Sequence, residues 1–147
     1  MRIGLISDTH GLLRPEALSA LAGSDLILHA GDVGPPAILD ELEKVAPVRA
    51  VRGNVDIDAW ARRLPTTRDV EAEGRVIHLL HNVGQLQRGR FDAVVFGHSH
   101  QPLVGTRDGV LFVNPGSAGP RRFRLPVTVA HLWVGEELRA EIVVLAQ

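Results

Sequence analysis

Seven side chains able to bind a metal lie at or just beyond the points where apolar runs of the chain stop. Leu5-Ile6-Ser7 ends in Asp8, Leu28-His29-Ala30-Gly31 in Asp32, Ala50-Val51-Arg52-Gly53 in Asn54, Leu79-Leu80 in His81 and Val95-Phe96-Gly97 in His98; His10 and His100 each follow two residues later. One such ending is unremarkable. Five, with glycine immediately before Asp32, Asn54 and His98, are hard to ascribe to chance. Glycine there lets the backbone turn and approach a ligand closely. Extended backbone through Gly97-His98-Ser99-His100 would put both imidazoles on one face with Cα atoms roughly 6.5–7 Å apart. Each could then serve one of two metals about 3.5–4 Å from each other. By itself an HxH pair is equally compatible with two surface histidines in a turn. Carboxylate and imidazole donors without thiolate favour borderline to hard ions such as Mn²⁺, Fe²⁺, Zn²⁺ or Co²⁺. An aspartate between two ions can bridge them and leave positions open for substrate oxygens, the arrangement used for in-line displacement at phosphorus.

Strands must carry these residues to a common edge. Residues 2–7 form a short apolar run rich in Ile and Leu, the pattern of a buried strand. Pro15 suits a first helical position, Leu18 and Leu21 follow at helical spacing, and Gly23 is a stop. The pattern repeats: strand over 25–30, helix over 37–45 with Ile38, Leu39 and Leu42 as its apolar stripe, strand over 47–52. Such alternation predicts a parallel sheet with right-handed crossovers, whose ligands collect at the carboxyl ends of the strands. From Thr66 the chain changes to short strands with tight connections: 67–72 and 75–81 around Glu73-Gly74, 92–97, then 102–106 and 110–113 around Arg107-Asp108-Gly109. The Asp-Gly pair signals a type I′ turn. Residues 127–134 and 138–145 read as a closing hairpin, and 82–90 as a loop.

Composition excludes several classes of function. The 147 residues suit one domain spanning 1–147, and the chain is 45% hydrophobic and 22% charged with a net charge of −1, announcing neither a basic nor an acidic partner. There is no cysteine, hence no disulfide framework, thiolate zinc site or cysteine nucleophile. Apolar segments fall short of the roughly 20 residues of a membrane span, and Met1 to Ile6 runs straight into Asp8 without the pattern of a signal peptide. A cytoplasmic protein is the default expectation, with no membrane association. No GxxxxGK[ST] loop is present, and with no tyrosine and few aromatics no stacking platform for single-stranded nucleic acid is evident.

In this order, Asp8-x-His10, Gly31-Asp32, Gly53-Asn54, His81, Gly97-His98-x-His100 and Asn114-Pro115-Gly116-Ser117 resemble the calcineurin-like metallophosphoesterases. The compact YfcE-type branch is the most similar. The resemblance spans residues 3 to about 117. It implies a four-layer α/β/β/α sandwich and two divalent transition-metal ions, manganese foremost, with iron, zinc, cobalt or nickel as alternatives. Asp8, His10 and His100 would hold one ion and Asn54, His81 and His98 the other, with Asp32 bridging. The implied activity is that of a phosphodiesterase in which a hydroxide on the metal pair attacks phosphorus of a small phosphoester. The metals and Asn54 would steady the charge that develops. Asp56 occupies the family's acidic position and is expected to assist Asp32 and Asn54 in catalysis by steadying a ligand. The resemblance also leaves two alternatives: a phosphomonoesterase or nucleotidase, and a non-catalytic interaction scaffold of the kind seen in the retromer subunit.

The chain departs from the family pattern at three places. Many relatives carry histidine after Gly-Asn to protonate the leaving group, whereas Val55 stands here, so good leaving groups should be favoured. Asn82 replaces the usual glycine after His81, and asparagine tolerates a left-handed backbone. Fifteen residues between His81 and Gly97 are too few for the helix often found there. That shortened segment implies a metal mouth either more open or covered by a neighbouring subunit in a homo-oligomer. Of the other histidines, His29 is expected in the core, His78 on the opposite side of its strand from His81 as a structural residue, and His131 without catalytic role. Asn114-Pro115-Gly116-Ser117 is expected to line the site. Arg121-Arg122-x-Arg124 either binds substrate phosphate through arginine's planar fork or forms a solvated face.

Overall fold

In the computed structural model, which describes residues 1–146, the apolar runs become strands β1 (Arg2–Ile6), β2 (Leu26–His29) and β3 (Val48–Ala50), connected by α1 (Pro15–Leu21) and α2 (Ala37–Glu43). β1, β2 and β3 pair in parallel. β9 (Val127–Val134) adds antiparallel to β1, and β10 (Leu138–Ala146) to β9, giving the order β10-β9-β1-β2-β3. The second sheet has the order β4-β5-β6-β8-β7, from β4 (Thr67–Ala72), β5 (Arg75–Leu80), β6 (Ala93–Val95), β7 (Leu103–Arg107) and β8 (Val110–Asn114). Here β5, β6 and β8 are parallel, and β4 and β7 close the edges as antiparallel hairpin partners. Both hairpin turns have positive φ at their central residues, Glu73-Gly74 and Asp108-Gly109, as a type I′ turn requires to match strand twist.

Strand alternation sorts the apolar side chains into layers. Ile3, Leu5 and Leu28 of the first sheet meet Ile77, Leu79, Val95 and Val113 of the second in a buried core between the sheets. Ile6 and Ile27 point the other way, onto Ala17 and Leu21 of α1 and Ile38 and Leu42 of α2. The α1 packing is close: a Cβ at Gly4 of β1 would lie 2.6 Å from Leu21 Cδ2. On the outer face of the second sheet, Leu80, Val94 and Phe96 are covered by Val83, Leu86 and Phe91 from residues 82–92. The regular structure in that cover is a single 3₁₀ turn, Val83–Gln85. The sandwich is therefore of the expected type, with its fourth layer cut to one turn and a loop. No helix among the described residues is long and apolar enough to cross a membrane.

Candidate metal centre

The carboxyl ends of the parallel strands of both sheets converge on one spot. The loop after β1 is laced to the loop after β2 by Asp8 N–H to Gly31 O and His10 N–H to Asp32 O, and Gly97 N–H donates to His81 O within the second sheet. Between the sheets, His98 N–H donates to Asp8 Oδ2, which also accepts from the hydroxyl of the adjacent Ser7. Two of the glycines before donor residues are needed for close approach. A Cβ at Gly53 would lie 2.1 Å from Asp32 Oδ1, and one at Gly97 2.1 Å from Ser7 Oγ and 2.6 Å from Asp8 Oδ2.

All seven proposed donors come together, in two sets. In the first, His100 Nε2 and His10 Nε2 lie 3.3 and 3.6 Å from Asp8 Oδ1, and 3.4 Å from each other. In the second, His81 Nε2 is 3.1 Å from Asp32 Oδ2, while His98 Nδ1 is 3.3 Å from His81 Nε2 and 3.2 Å from Asn54 Oδ1. Donors bound to one ion at about 2.0–2.2 Å in tetrahedral or octahedral geometry are separated by roughly 2.8–3.6 Å along adjacent edges. The distances within each set match those edges. Asp32 Oδ2 also lies 3.7 Å from His10 Nε2, which puts it between the sets. Asp8 Oδ1, fully buried, has no hydrogen-bond donor, a costly state for a carboxylate oxygen unless a cation completes it. The donor set thus fits divalent metal.

Electrostatics favour the same use. His81 Nδ1 donates to Ala30 O at 2.8 Å, so its Nε2 lone pair faces the cluster, the tautomer a ligand needs. Burial disfavours a charged His81, but the Asp32 and Asp8 carboxylates outweigh it and raise its pKa, so a proton competes there with metal. Burial lowers the pKa of His100, helped by the charges of Arg122 and His10. Burial pushes Asp32 up, yet a hydrogen bond from His81 when that ring is protonated, and one from Val55 N–H, bring it down to about 2. Asp32 is thus a carboxylate throughout the neutral range.

The expectations for individual residues fare differently. The extended HxH geometry is not found: His98 and His100 have φ of 73° and 64°, and Ser99 N–H donates back to Gly97 O, so the segment is a tight turn. That turn sends one imidazole to each set. Asp56 does not face the open mouth; it is buried and accepts from the backbone N–H groups of Asp32, Val33 and Gly53. It positions the loops that carry Asp32 and Asn54. Asn114-Pro115-Gly116-Ser117, expected to line the site, is buried behind it. Asn114 Nδ2 donates to Gly97 O and Ser99 Oγ, and the Ser117 hydroxyl to Asp8 O, clamping two donor loops from behind. Arg121, Arg122 and Arg124 are exposed, with Arg122 close enough for its charge to act on His100.

His29 is a core residue as expected. Its Nδ1 accepts from Gly31 N–H, so Nε2 carries the proton and donates to Thr9 Oγ1, whose hydroxyl passes on to Val33 O. His131 ties β9 to α1 through Ala20 O. Outside the metal cluster, as its parity predicts, His78 bonds Asp69 Oδ1 at 2.5 Å and stacks on Phe91. The sequence does not reveal that His78 lines a groove leading out from Asn54, His81 and His98, because the groove is made by the loop over 82–92.

Comparison with known proteins agrees with this geometry. A probable metallophosphoesterase from Methanothermobacter thermautotrophicus is 38% identical, over 97% of this chain and 92% of its own length. Phosphodiesterase YfcE of Escherichia coli is 30% identical over 80% of this chain and 79% of its own. Its crystal structure superposes with a TM-score of 0.74 at 26% identity, covering 90% and 88% of the two chains. The fold is shared as well with zinc-complexed Vps29 from Entamoeba histolytica, at a TM-score of 0.75, 21% identity and 99% coverage of both chains. The family model described as the calcineurin-like phosphoesterase superfamily domain matches residues 1–137, and the chain belongs to that superfamily.

Proposed function

We propose that the protein is a metal-dependent phosphodiesterase acting on a small phosphoester. The observation that carries this reading is the placement of Asp32 Oδ2 between two donor sets, 3.7 Å from His10 and 3.1 Å from His81, beside a buried Asp8 oxygen with no hydrogen-bond donor. Asp8, His10 and His100 would hold one divalent ion, Asn54, His81 and His98 a second, and Asp32 both. Bound there, manganese or a similar ion supplies an acidified water and draws charge from the phosphoryl oxygens.

The chain's own residues do the rest. Asn54 turns Oδ1 toward His98, leaving its amide N–H groups for a phosphoryl oxygen. Asp56 holds the backbone of Asp32 and Gly53 in register, so a shift there would misplace two donors together. At position 55 the half-exposed valine side chain has no proton to give. A leaving group must depart as its anion or take a proton from solvent, which favours phosphoesters of acidic alcohols. YfcE, named a phosphodiesterase, supports the choice of diesters over monoesters.

The test is to load the metal-free protein with Mn²⁺, measure metal content, and compare bis(p-nitrophenyl) phosphate with p-nitrophenyl phosphate. Two ions per chain and preferential hydrolysis of the diester are expected. Preference for the monoester would favour the nucleotidase alternative, and a fully loaded protein inert on both would favour the scaffold.

A further inference from the structure

The groove beyond the metal centre measures about 1090 Å³. Its volume slightly exceeds the roughly 300–1,000 Å³ of pockets that enclose whole drug-sized ligands, so it has far more room than a phosphodiester group needs. It exists because the layer over the second sheet is reduced to residues 82–92. Its lining joins Asn54, His81 and His98 of the second donor set to Arg52 from the loop after β3 and to Arg88 and Arg90 from the short cover of the second sheet. Arginines thus line the groove on segments attached to both sheets. Among the described residues none of the three forms an ion pair with a carboxylate. Asp69 is the one acidic side chain in the lining, and it is bonded to His78. A large cavity with three uncompensated cations, continuous with a phosphoester site, is built for a second anion. Arginine's planar fork matches phosphate oxygens in particular.

Resting on the phosphodiesterase reading, we infer that the groove binds a second phosphate of the substrate. The substrate class is then a phosphodiester with a terminal phosphomonoester on one arm. The scissile phosphorus sits at the metal centre and the terminal phosphate lies among Arg52, Arg88 and Arg90. The arm between them can be a nucleoside or a simple polyol, since the phosphates are what the arginines recognise.

Equilibrium binding to the Mn²⁺-loaded protein tests this without turnover, using adenosine 3′,5′-bisphosphate against adenosine 5′-monophosphate as probes. The bisphosphate should bind at least tenfold more tightly, and in Arg88→Ala/Arg90→Ala the ratio should fall to within about twofold of one. Propane-1,3-diol bisphosphate, which lacks a base, separates the two sources: affinity close to that of the adenosine bisphosphate means the phosphates suffice, and much weaker binding means the arm is a nucleoside. Equal affinity of wild-type protein for adenosine bisphosphate and monophosphate overturns the subsite, as does a ratio unchanged in the double variant. Diester hydrolysis that proceeds without such discrimination would sink the subsite alone. Discrimination in a protein inert on diesters would sink the phosphodiesterase reading alone.

Discussion

Five of the seven donors, Asp8, His10, Asp32, His98 and His100, have φ between 45° and 73°. Left-handed backbone costs a non-glycine residue roughly 1–2 kcal/mol, although aspartate and histidine tolerate it better than most. Strain concentrated on donors means that the surrounding loops, not local preference, set their direction. Replacing His10 with glycine removes both the donor and the strain, whereas His10→Ala removes only the donor. In urea unfolding of the metal-free protein, His10→Gly should be about 1 kcal/mol more stable than His10→Ala, with first-site metal affinity reduced alike in both. Val55 has the opposite kind of deficit, a missing proton donor. Val55→His should raise kcat on diesters of poorly acidic alcohols by about 10²-fold or more and change hydrolysis of bis(p-nitrophenyl) phosphate far less. Equal effects on both substrates would show that the new imidazole is not acting as an acid.

Strand ends and the loops after them are the elements that matter to the site. Gly53 lies against Asp32, so a Cβ there meets Asp32 Oδ1 at 2.1 Å and Asp32 N at 2.3 Å, with Asp56 pinning the same backbone from behind. Asp32 N is backbone, and Asp32 Oδ1 is held in place by Val55 N–H. Gly53→Ala should lower metal occupancy and diester turnover at least tenfold while the far-ultraviolet circular dichroism stays native, since the sheets are not touched. Asn114 joins strand β8 to the turn that carries both histidines, through Gly97 O and Ser99 Oγ. Its replacement by alanine removes a buried hydrogen bond to Gly97 O, which keeps only Ser99 N–H as donor, a loss worth about 0.5–1.5 kcal/mol. Metal affinity should fall with it, measurable by competition with a chelator.

For the whole molecule, the buried His29 couples the fold to pH. Burial, then the charges of neighbouring His81 and His10 against that of Asp32, lowers its pKa from 6.5 to about 3. On acidification the unfolded chain takes up this proton below pH 6.5 while the native chain refuses it until about pH 3, so stability rises with pH across that window. It is fully present above pH 6.5 and lost as pH falls toward 3, by an amount on the order of 5 kcal/mol. Urea midpoints of the metal-free protein between these limits should show the slope, and His29→Gln should flatten it. Metal acts the other way: an ion that binds only the native state stabilises it by about 2.7 kcal/mol at a hundred times its dissociation constant. Adding Mn²⁺ should raise the melting temperature in a concentration-dependent way, and Asp32→Asn, which weakens the donor common to both sets, should abolish most of that rise.

Strand positions, both helices, the hairpin at Glu73-Gly74, the type I′ turn at Asp108-Gly109 and the seven candidate donors that the fold brings together were legible in the sequence alone. Each follows from local signals: apolar runs, helical spacing, Pro and Gly as punctuation, and polar residues where runs stop. The short spacing from His81 to Gly97 likewise announced the reduced outer layer. What lay outside the sequence depends on contacts between distant segments. The turn at His98 and His100 replaces the extended geometry because Asn114 and Asp8, from other strands, hold that loop. Asn114 and Ser117 prove to work from behind the site, since which way a loop side chain points is decided by the backbone N–H and C=O groups packed around it. The groove with its three arginines exists only where the loop over 82–92 faces the end of β3, a juxtaposition that residue spacing cannot encode because the two segments belong to different sheets.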